Sequence, residues 1–348
     1  MVPNKGSSNI LPETPEGQFK KLIAPQAEPR KHKIVYRNLL TFGYWHLSAV
    51  YGLYLCFTSA KRATIIFAIF IYIIAKIGIT GGAHRLWAHR AYKAKLPLEI
   101  LLLIMNSIAF QDTVLTWARD HRLHHKYSDT DADPHNPTRG FFFAHMGWVL
   151  VRKHPEVLAR GKALPIDDLK NNPLLRFQKK YAIPMIGTLC FLMPTFVPVY
   201  FWGESISTAW NINLLRYVTN LNVIFLINSW AHLIGNKPYD KNIAATQSIP
   251  ISIATLGEGF HNYHHTYPWD YKASELGNNK INLTTKFIDF FAWVGWAYDL
   301  KSMPSEGVAK RRAKTGDGTD LWGRKVKINE NIVKRTPPIV LIGREAKE

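Results

Sequence analysis

The chain is poor in cysteine and in acidic residues. Its two cysteines in 348 residues, Cys56 and Cys190, each stand inside an apolar run, which excludes a disulfide framework and a zinc–thiolate site and fits a reducing compartment. Asp and Glu number 25 against 44 Lys and Arg, and the net charge of +19 suits an anionic headgroup, a membrane surface or an acidic protein partner. The sequence has no glycine-rich phosphate loop, no nucleic-acid-binding module and no His-Glu-x-x-His of the zinc proteases. We therefore expect no nucleic-acid partner and no proteolytic activity of that kind.

Both ends of the chain are polar. Residues 1–40 contain five prolines and are expected to form a polar cytosolic segment, and residues 321–348 a basic tail. The first residues lack the basic start and apolar core of a signal peptide. Membrane insertion is therefore expected to depend on a later segment.

Four apolar runs of 18 to 21 residues stand out, at positions 41–60, 63–83, 182–202 and 217–234. Because about 20 helical residues cross a bilayer core, the runs predict two transmembrane hairpins, 41–83 and 182–234. Buried helices of a large soluble core are the alternative.

The segments between and after the hairpins, 84–181 and 235–320, carry most of the Lys and Arg. The positive-inside rule therefore places both segments, and both termini, in the cytosol. The apolar stretch 96–110 is short for a span and is expected to lie in the membrane interface or to re-enter.

Histidine is concentrated in three clusters, which hold eight of the 14 histidines. The clusters are His84 and His89; His121, His124 and His125; and His261, His264 and His265. Imidazole binds Zn, Cu, Fe and Ni, so ligand type alone does not choose the metal. The repeated triplet spacing predicts a two-metal centre.

Helical geometry predicts which two histidines of each triplet lie on the same face of a helix. At about 100° per residue, His121 and His125 share one face while His124 points elsewhere. The same spacing sets His261 and His265 together, against His264. His84 and His89 lie about 140° apart on an α-helix, so they converge only if the helix ends or unwinds between them.

Polar residues inside the apolar runs are informative because they are costly there. Asn228 and His232 share a face near the cytosolic end of the fourth run, where His232 is a candidate ninth ligand and Asn228 a candidate partner of a metal-bound water. Lys76 could snorkel, pair with a polar group or line a cavity. We interpret the remaining histidines as structural; they are His32, His46, His135, His145 and His154.

Together these patterns predict an all-α integral membrane protein with four transmembrane helices. A helical cytosolic cap, formed by 84–181 and 235–320, is expected to hold the histidine-rich metal centre. Since the metals then lie at the cytosolic mouth of a helix bundle, a lipid-like substrate with a wet head and a buried tail is expected.

Three motifs carry a family resemblance. His84-Arg-Leu-Trp-Ala-His89, His121-Arg-Leu-His124-His125 and His261-Asn-Tyr-His264-His265 resemble the histidine boxes of the membrane-bound fatty acyl-CoA desaturases, as do intervening stretches such as Asp131-Ala-Asp-Pro-His-Asn136. The resemblance covers about residues 34 to 320 and is nearest to the insect members, some of which make pheromone precursors.

The resemblance implies an enzyme of the endoplasmic reticulum membrane with a di-iron centre, ferrous when reduced, and without bound haem or flavin. Such an enzyme introduces a double bond into a saturated fatty acyl-CoA, using O2 and electrons from cytochrome b5 and its reductase. No catalytic residue is expected beyond the metal centre.

The resemblance also implies residue roles. By position, one iron would be held by His84, His89, His121, His125 and His265. The other would be held by His124, His232, His261 and His264, with Asn228 reached through water. Eight residues match family positions that hold the CoA, line the acyl tunnel or close its end. They are Asn38, Arg119, Asp120, Trp148, Arg152, Lys153, Tyr72 and Lys76.

Regioselectivity is the least determined property. Ala244-Ala-Thr-Gln247 resembles the Gln-ending signature of pheromone-type insect enzymes, which favours Δ11 over Δ9 and Δ10.

A di-iron fatty acyl hydroxylase or conjugase is the nearest rival, because histidine boxes alone do not separate these reactions. A metal transporter would place its polar ligands near the membrane midplane, whereas here they gather at the ends of the runs.

Overall fold

The computed structural model describes residues 33–276 and 281–326. Most of the predicted N-terminal segment 1–40 and of the predicted tail 321–348 lies outside the described residues. Within them the regular structure is helical apart from one small antiparallel sheet, in which β1 (Lys93–Ala94) pairs with β2 (Ala297–Tyr298).

The α-helices in chain order are α1 (Tyr36–Thr58), α2 (Arg62–Ile77), α3 (Leu96–Ala109), α4 (Val114–Tyr127), α5 (Trp148–Leu150), α6 (Pro155–Lys162), α7 (Asp167–Asn171), α8 (Pro173–Lys180), α9 (Ala182–Ile186), α10 (Met193–Trp202), α11 (Ile206–Asn228), α12 (Trp230–Leu233), α13 (Ile249–Ala254), α14 (His261–Thr266), α15 (Leu283–Trp293) and α16 (Ser305–Thr315). Three segments are π-helical, Gly78–Ala88, Phe143–Gly147 and Gly187–Leu192, and Pro137–Arg139 forms a 3-10 turn.

Within residues 33–276 and 281–326, two stretches are long and apolar enough to cross a membrane. They are Arg62–Ala88, which is α2 and its π-helical continuation, and Ala182–Trp202, which is α9, a π-helical segment and α10. A third candidate is the pair α3 and α4, bent by 83°. Two of the four predicted spans thus fall on such helices.

The other two predicted spans lie on α1 and α11. Each helix has 23 residues, but polar and aromatic side chains such as His46 and Asn220 make both less apolar. The predicted run 217–234 is also not one continuous helix, because α11 ends at Asn228 and α12 begins at Trp230. This break sets the orientation of the turn that carries His232.

The bundle is built around α11. It packs along α1 and against α2 and α10, and α3 lies across α2. A Cβ at Gly78 would lie only 2.3 Å from the carbonyl carbon of Met105 on α3. Only glycine permits so close an approach of α3 to the end of α2.

The cap has its own apolar core beside the bundle. Fully buried side chains from four helices meet there, namely Leu98 of α3, Leu123 of α4, Leu175 of α8 and Ile288 of α15. This core fixes α4, which carries the second histidine cluster, against the π-helical continuation of α2, which carries His84. Positioning of the site therefore depends on the cap core.

Candidate metal centre

The three histidine clusters and His232 converge from four short stretches. His84 lies in the π-helical segment Gly78–Ala88 and His89 directly follows it. The triplet His121, His124 and His125 is on α4, His232 is on α12, and the last triplet is on α14.

His84 and His89 meet because the helix widens rather than unwinds. The amide of His89 donates to the carbonyl of His84 at 3.0 Å, an i to i+5 bond, so residues five apart come one turn apart. The two ring centroids are 4.9 Å apart. The sequence predicted that the helix ends or unwinds between these two residues, whereas the structure shows a π-helical widening.

Five imidazoles form the first group. Their ligating nitrogens all lie within 4.8 Å of one another. The group consists of His84, His89, His121, His125 and His264. The Nε2 atoms of His89 and His121 are 2.8 Å apart, and Nε2 of His264 lies 3.0 Å from those of both His84 and His125.

Four imidazoles form the second group, again within 4.8 Å of one another: His124, His232, His261 and His265. Nε2 of His261 is 3.0 Å from Nε2 of His232 and 3.0 Å from Nε2 of His265.

The assignment of His264 and His265 implied by the resemblance is wrong. It put His265 in the first group and His264 in the second, and the structure places them the other way round. The reason is the helical facing of α14: His261 and His265 are one turn apart and share a side, while His264 points towards His84 and His125. The expectation from helical geometry alone was correct for both triplets.

The spacing of the nitrogens suits metal ions. With metal–imidazole distances of about 2.1 Å, two ligands at a right angle lie about 3.0 Å apart, as several Nε2 pairs do here. Five nitrogens in one group and four in the other leave coordination positions for small ligands. The residues present therefore fit two transition-metal ions.

Burial keeps imidazoles of the last triplet in the neutral form that binds metal. Desolvation, followed by the charges of neighbouring imidazoles, holds the pKa of His261, His264 and His265 well below the ordinary value. Proton competition for these nitrogens is correspondingly weak.

Three carboxylates fix the orientation of ligand rings. Nδ1 of His84 lies 3.0 Å from Oε2 of Glu258, Nδ1 of His124 lies 2.9 Å from Oδ2 of Asp133, and Nδ1 of His232 lies 3.2 Å from Oδ1 of Asp129. When Nδ1–H donates to a carboxylate, the lone pair of Nε2 is left for the metal. Sequence reasoning did not assign these residues, although each stands within nine positions of a histidine triplet.

The carboxylates stay ionised inside the protein. Burial raises the pKa of Glu258, but Arg85 and then His84 outweigh it and bring the pKa to about 2. Burial likewise raises the pKa of Asp133, and His124 more than offsets this, giving a pKa of about 2. The guanidinium of Arg85 is itself buried and also donates to Thr285 Oγ1 at 2.9 Å.

A cavity of about 770 Å³ passes beside the histidine groups. Its lining includes a polar set, Arg37, Asn38, Asp120 and Lys153, which we call its polar end. Trp117, His121 and Asn228 also line it. The Trp117 ring stacks on the His121 ring with centroids 4.8 Å apart. A chain lying in the cavity would thus pass beside ligands of the first group.

Four of the eight predicted substrate residues line this cavity, namely Asn38, Asp120, Trp148 and Lys153. Of the other four, Arg119 and Arg152 stand next to lining residues, and Arg119 Nε donates to Asp120 Oδ1 at 2.8 Å. Asp120 also forms an ion pair with Lys153. The cations are thus gathered around one carboxylate at the cavity's polar end.

Tyr72 and Lys76 are not on the lining of this cavity. The Tyr72 hydroxyl donates to the carbonyl of Ala254 at 3.1 Å, and Lys76 Nζ lies 4.8 Å from the Tyr72 ring centroid and 3.4 Å from the carbonyl of Asn220. Lys76 is fully buried, and within residues 33–276 and 281–326 no carboxylate pairs with it. Both amide atoms of the Asn220 side chain are buried without a partner.

His135 is the functional candidate that sequence reasoning missed. It lines the cavity and its ring meets that of Trp148 edge-on at 4.4 Å. Its buried Nδ1 lies 3.8 Å from Asp133 Oδ1 and has no hydrogen-bond partner among the described residues. Nε1 of Trp148 and Nε2 of Gln111, also on the lining, are likewise buried and unpartnered. Nitrogens of this kind need a polar partner, which a headgroup or water in the cavity would supply.

The other scattered histidines that the structure describes make hydrogen bonds with residues outside the two histidine groups. His145 joins Ser229 and Asn222 at 3.1 Å each, Asn222 in turn contacts His46, and His154 caps α6. His32 lies outside the described residues.

Fold and site together define two groups of imidazoles able to hold metal ions at the ends of apolar helices, with a cavity beside them. Comparison with known proteins identifies the class further. The fatty acid desaturase family matches residues 59–276, and the chain belongs to that family. It is therefore an oxidoreductase, as predicted from the sequence.

Relatives match over most of both chains. An acyl-CoA Delta(11) desaturase of Spodoptera littoralis is 64% identical over 87% of this chain and 89% of its own length. A (11Z)-hexadec-11-enoyl-CoA conjugase of Bombyx mori is 65% identical over 86% and 91%. An acyl-CoA Delta-9 desaturase of Acheta domesticus is 55% identical over 86% and 85%.

Proposed function

We propose that the chain is an acyl-CoA Δ11 desaturase that acts on a saturated fatty acyl-CoA. The observation that carries the proposal is the convergence of nine histidines, in a five and a four, beside a cavity with a cationic mouth and apolar walls. The Δ11 position is supported by the Spodoptera littoralis relative and by the sequence signature that ends at Gln247.

The metal is proposed to be iron, with one ion in each histidine group. Asn228, at the end of α11 and on the cavity lining, is proposed to reach the second ion through water. Bound iron would supply the redox chemistry that uses O2 to remove two hydrogens from neighbouring methylenes, with electrons from cytochrome b5 and its reductase. O2, two electrons, two protons and those two hydrogens balance as two waters.

The protein's own contribution is orientation. Arg119, Arg152 and Lys153 hold the anionic CoA by charge, and Asp120 keeps Arg119 and Lys153 in place. The apolar walls exclude water and hold the acyl chain beside Trp117 and His121. Tyr72 and Lys76 are proposed to close the distal end of the acyl path.

The membrane arrangement is proposed to have four spans, with α1 and α11 joining the two apolar stretches. The cap and both termini would face the cytosol, at the endoplasmic reticulum membrane, because the basic segments flank the spans on that side. A role in pheromone-precursor synthesis is proposed from the resemblance of Ala244-Ala-Thr-Gln247 to the signature of pheromone-type insect enzymes.

A second candidate is a conjugase reaction on a chain that is already unsaturated, favoured by the Bombyx mori relative. One experiment tests both candidates. The chain is expressed in a desaturase-deficient yeast supplied with palmitic or (11Z)-hexadecenoic acid, and double bonds are located by mass spectrometry. New Δ11 bonds in palmitate are expected, and they should be absent with His264→Ala.

Product at Δ9 or Δ10 only would overturn the Δ11 assignment. A conjugated diene from the monoene alone would establish the conjugase, and a hydroxylated product would remove both candidates.

A further inference from the structure

The cavity beside the metal centre has a side wall that faces outwards. Ile183 of α9 lines the cavity although its side chain is 88% exposed. Gly187, one turn further along, also lines it, and so do Phe42 and Trp45 on α1. The cavity thus reaches the outer surface of the bundle at Ile183, where residues of α1 and α9 line it.

Aromatic rings on the cavity lining pack together as a layer. Trp45 meets Tyr217 edge-on with centroids 5.0 Å apart, and Tyr217 stacks on Phe110 at 5.8 Å. Phe191 completes the layer, 5.5 Å from Tyr217. Along α1 Asn38, at the cationic mouth, and Trp45, in this layer, are only about 10 Å apart, by the rise of an α-helix. An acyl chain longer than this extends past Trp45, either deeper within the bundle or into the side opening.

The surroundings of the opening are apolar. Leu40 and Leu47 on α1 are 73% and 74% exposed, and Tyr181 and Ile183 are exposed beside them on the α9 side. A belt of large exposed apolar side chains is suited to lipid rather than to water. The opening therefore connects the cavity with the hydrocarbon layer that the proposed spans imply.

We propose that this opening is a lateral portal, through which the apolar chain of the substrate or product passes between the bilayer and the cavity. The CoA end remains at the mouth formed by Arg37, Asn38 and Lys153. The inference rests on the proposed function for the identity of the chain. The occupant is a fatty acyl chain, because the opening is continuous with a cavity that has apolar walls, a cationic mouth and metal-ligating His121 on its lining.

Gly187 provides a position from which to test the portal. A Cβ placed there would meet nothing within 4 Å, so a side chain fits without displacing the fold. Its neighbour Thr188 is exposed and is not on the cavity lining, which makes it a matched control on the same helical segment.

The experiment uses the full chain in lipid nanodiscs without reductant, so that acyl-CoA binds and does not turn over. Gly187→Cys and Thr188→Cys are labelled with a lipid-soluble maleimide, and labelling above that of the parent chain, which has Cys56 and Cys190, is followed by mass spectrometry. We expect palmitoyl-CoA to slow labelling of Gly187→Cys several-fold and to leave labelling of Thr188→Cys unchanged. Equal rates with and without palmitoyl-CoA at position 187 would overturn the portal.

Ile183→Cys repeats the measurement should Gly187→Cys fail to accumulate. A second readout is turnover: Gly187→Trp should lower product formation several-fold with iron content unchanged, and Thr188→Trp should retain activity. Full activity of Gly187→Trp contradicts the portal. Absence of desaturation by the parent chain refutes the proposed function instead, and the labelling result still decides whether an acyl chain enters the opening.

Discussion

Oε2 of Glu258 lies 3.0 Å from Nδ1 of His84, and Oε1 of the same carboxylate accepts from Arg85 Nε at 3.1 Å. One buried carboxylate thus joins a metal-ligand candidate to a cation from the next position in the chain. It sets the tautomer of His84 while its own charge is compensated by Arg85. Removal of that carboxylate therefore affects metal binding and the packing of the cap together.

Glu258→Gln is expected to weaken iron retention and activity by about 10–100-fold, the usual effect of losing such a partner of a ligand. The amide keeps the volume but no longer neutralises Arg85 or favours the Nδ1–H form of His84. Iron per protein and turnover measure the effect. Glu156→Gln, at an exposed ion pair with Arg160, is the control and should change neither. Normal iron content in Glu258→Gln would contradict the role of the carboxylate.

The grouping of His264 and His265 predicts which pairs of substitutions act on the same ion. His265→Ala combined with His124→Ala removes two ligands of one group, so the double variant should keep about as much iron as the worse single variant. His264→Ala combined with His124→Ala affects both groups and should lose more than either. Iron measured by mass spectrometry on purified protein checks this. The reverse pattern would restore the assignment that the family resemblance implied.

Charge at the cavity mouth predicts a salt-dependent substrate affinity. Lys153→Ala and Arg152→Ala should raise KM for acyl-CoA more at low salt than at high salt, because ions screen exposed charge pairs. Lys153 should carry the larger share, since its side chain lines the cavity and that of Arg152 does not. Lys162→Ala, exposed on α6, is the control. A loss independent of salt would argue against attraction by charge.

Replacing Lys76 by an apolar residue of similar volume should not lower stability, in contrast to most core substitutions. Its ammonium is fully buried with one hydrogen bond of 3.4 Å and a ring contact to Tyr72. Lys76→Met keeps the volume and removes a polar group, so thermal stability in detergent should be equal or higher. Lys76→Ala leaves a void and should lower stability by roughly 2–5 kcal/mol. Equal destabilisation by both would show that the ammonium itself is needed.

Local periodicity made much of the site predictable. The i and i+4 spacing of His121 and His125, and of His261 and His265, fixes their facing wherever the segments are helical, and both are. Length and hydropathy likewise identified 63–83 and 182–202 as span candidates. The family was also recognisable from the three histidine motifs.

Other features depended on contacts between distant segments. The π-helical widening that joins His84 to His89 accompanies close packing of α3 against Gly78, more than 20 residues away along the chain. His135 has no periodic signal, and its place on the cavity follows from the fold of the loop after α4.

The sequence by itself determined that nine imidazoles, apolar helices and a basic cap occur in one chain, because composition and spacing are local properties. Only the tertiary structure decided that His264 joins His84 while His265 joins His124, that Glu258 faces His84, and that Ile183 and Gly187 line the cavity. These outcomes depend on how helices far apart in the sequence pack against each other, which side-chain periodicity within one segment does not encode.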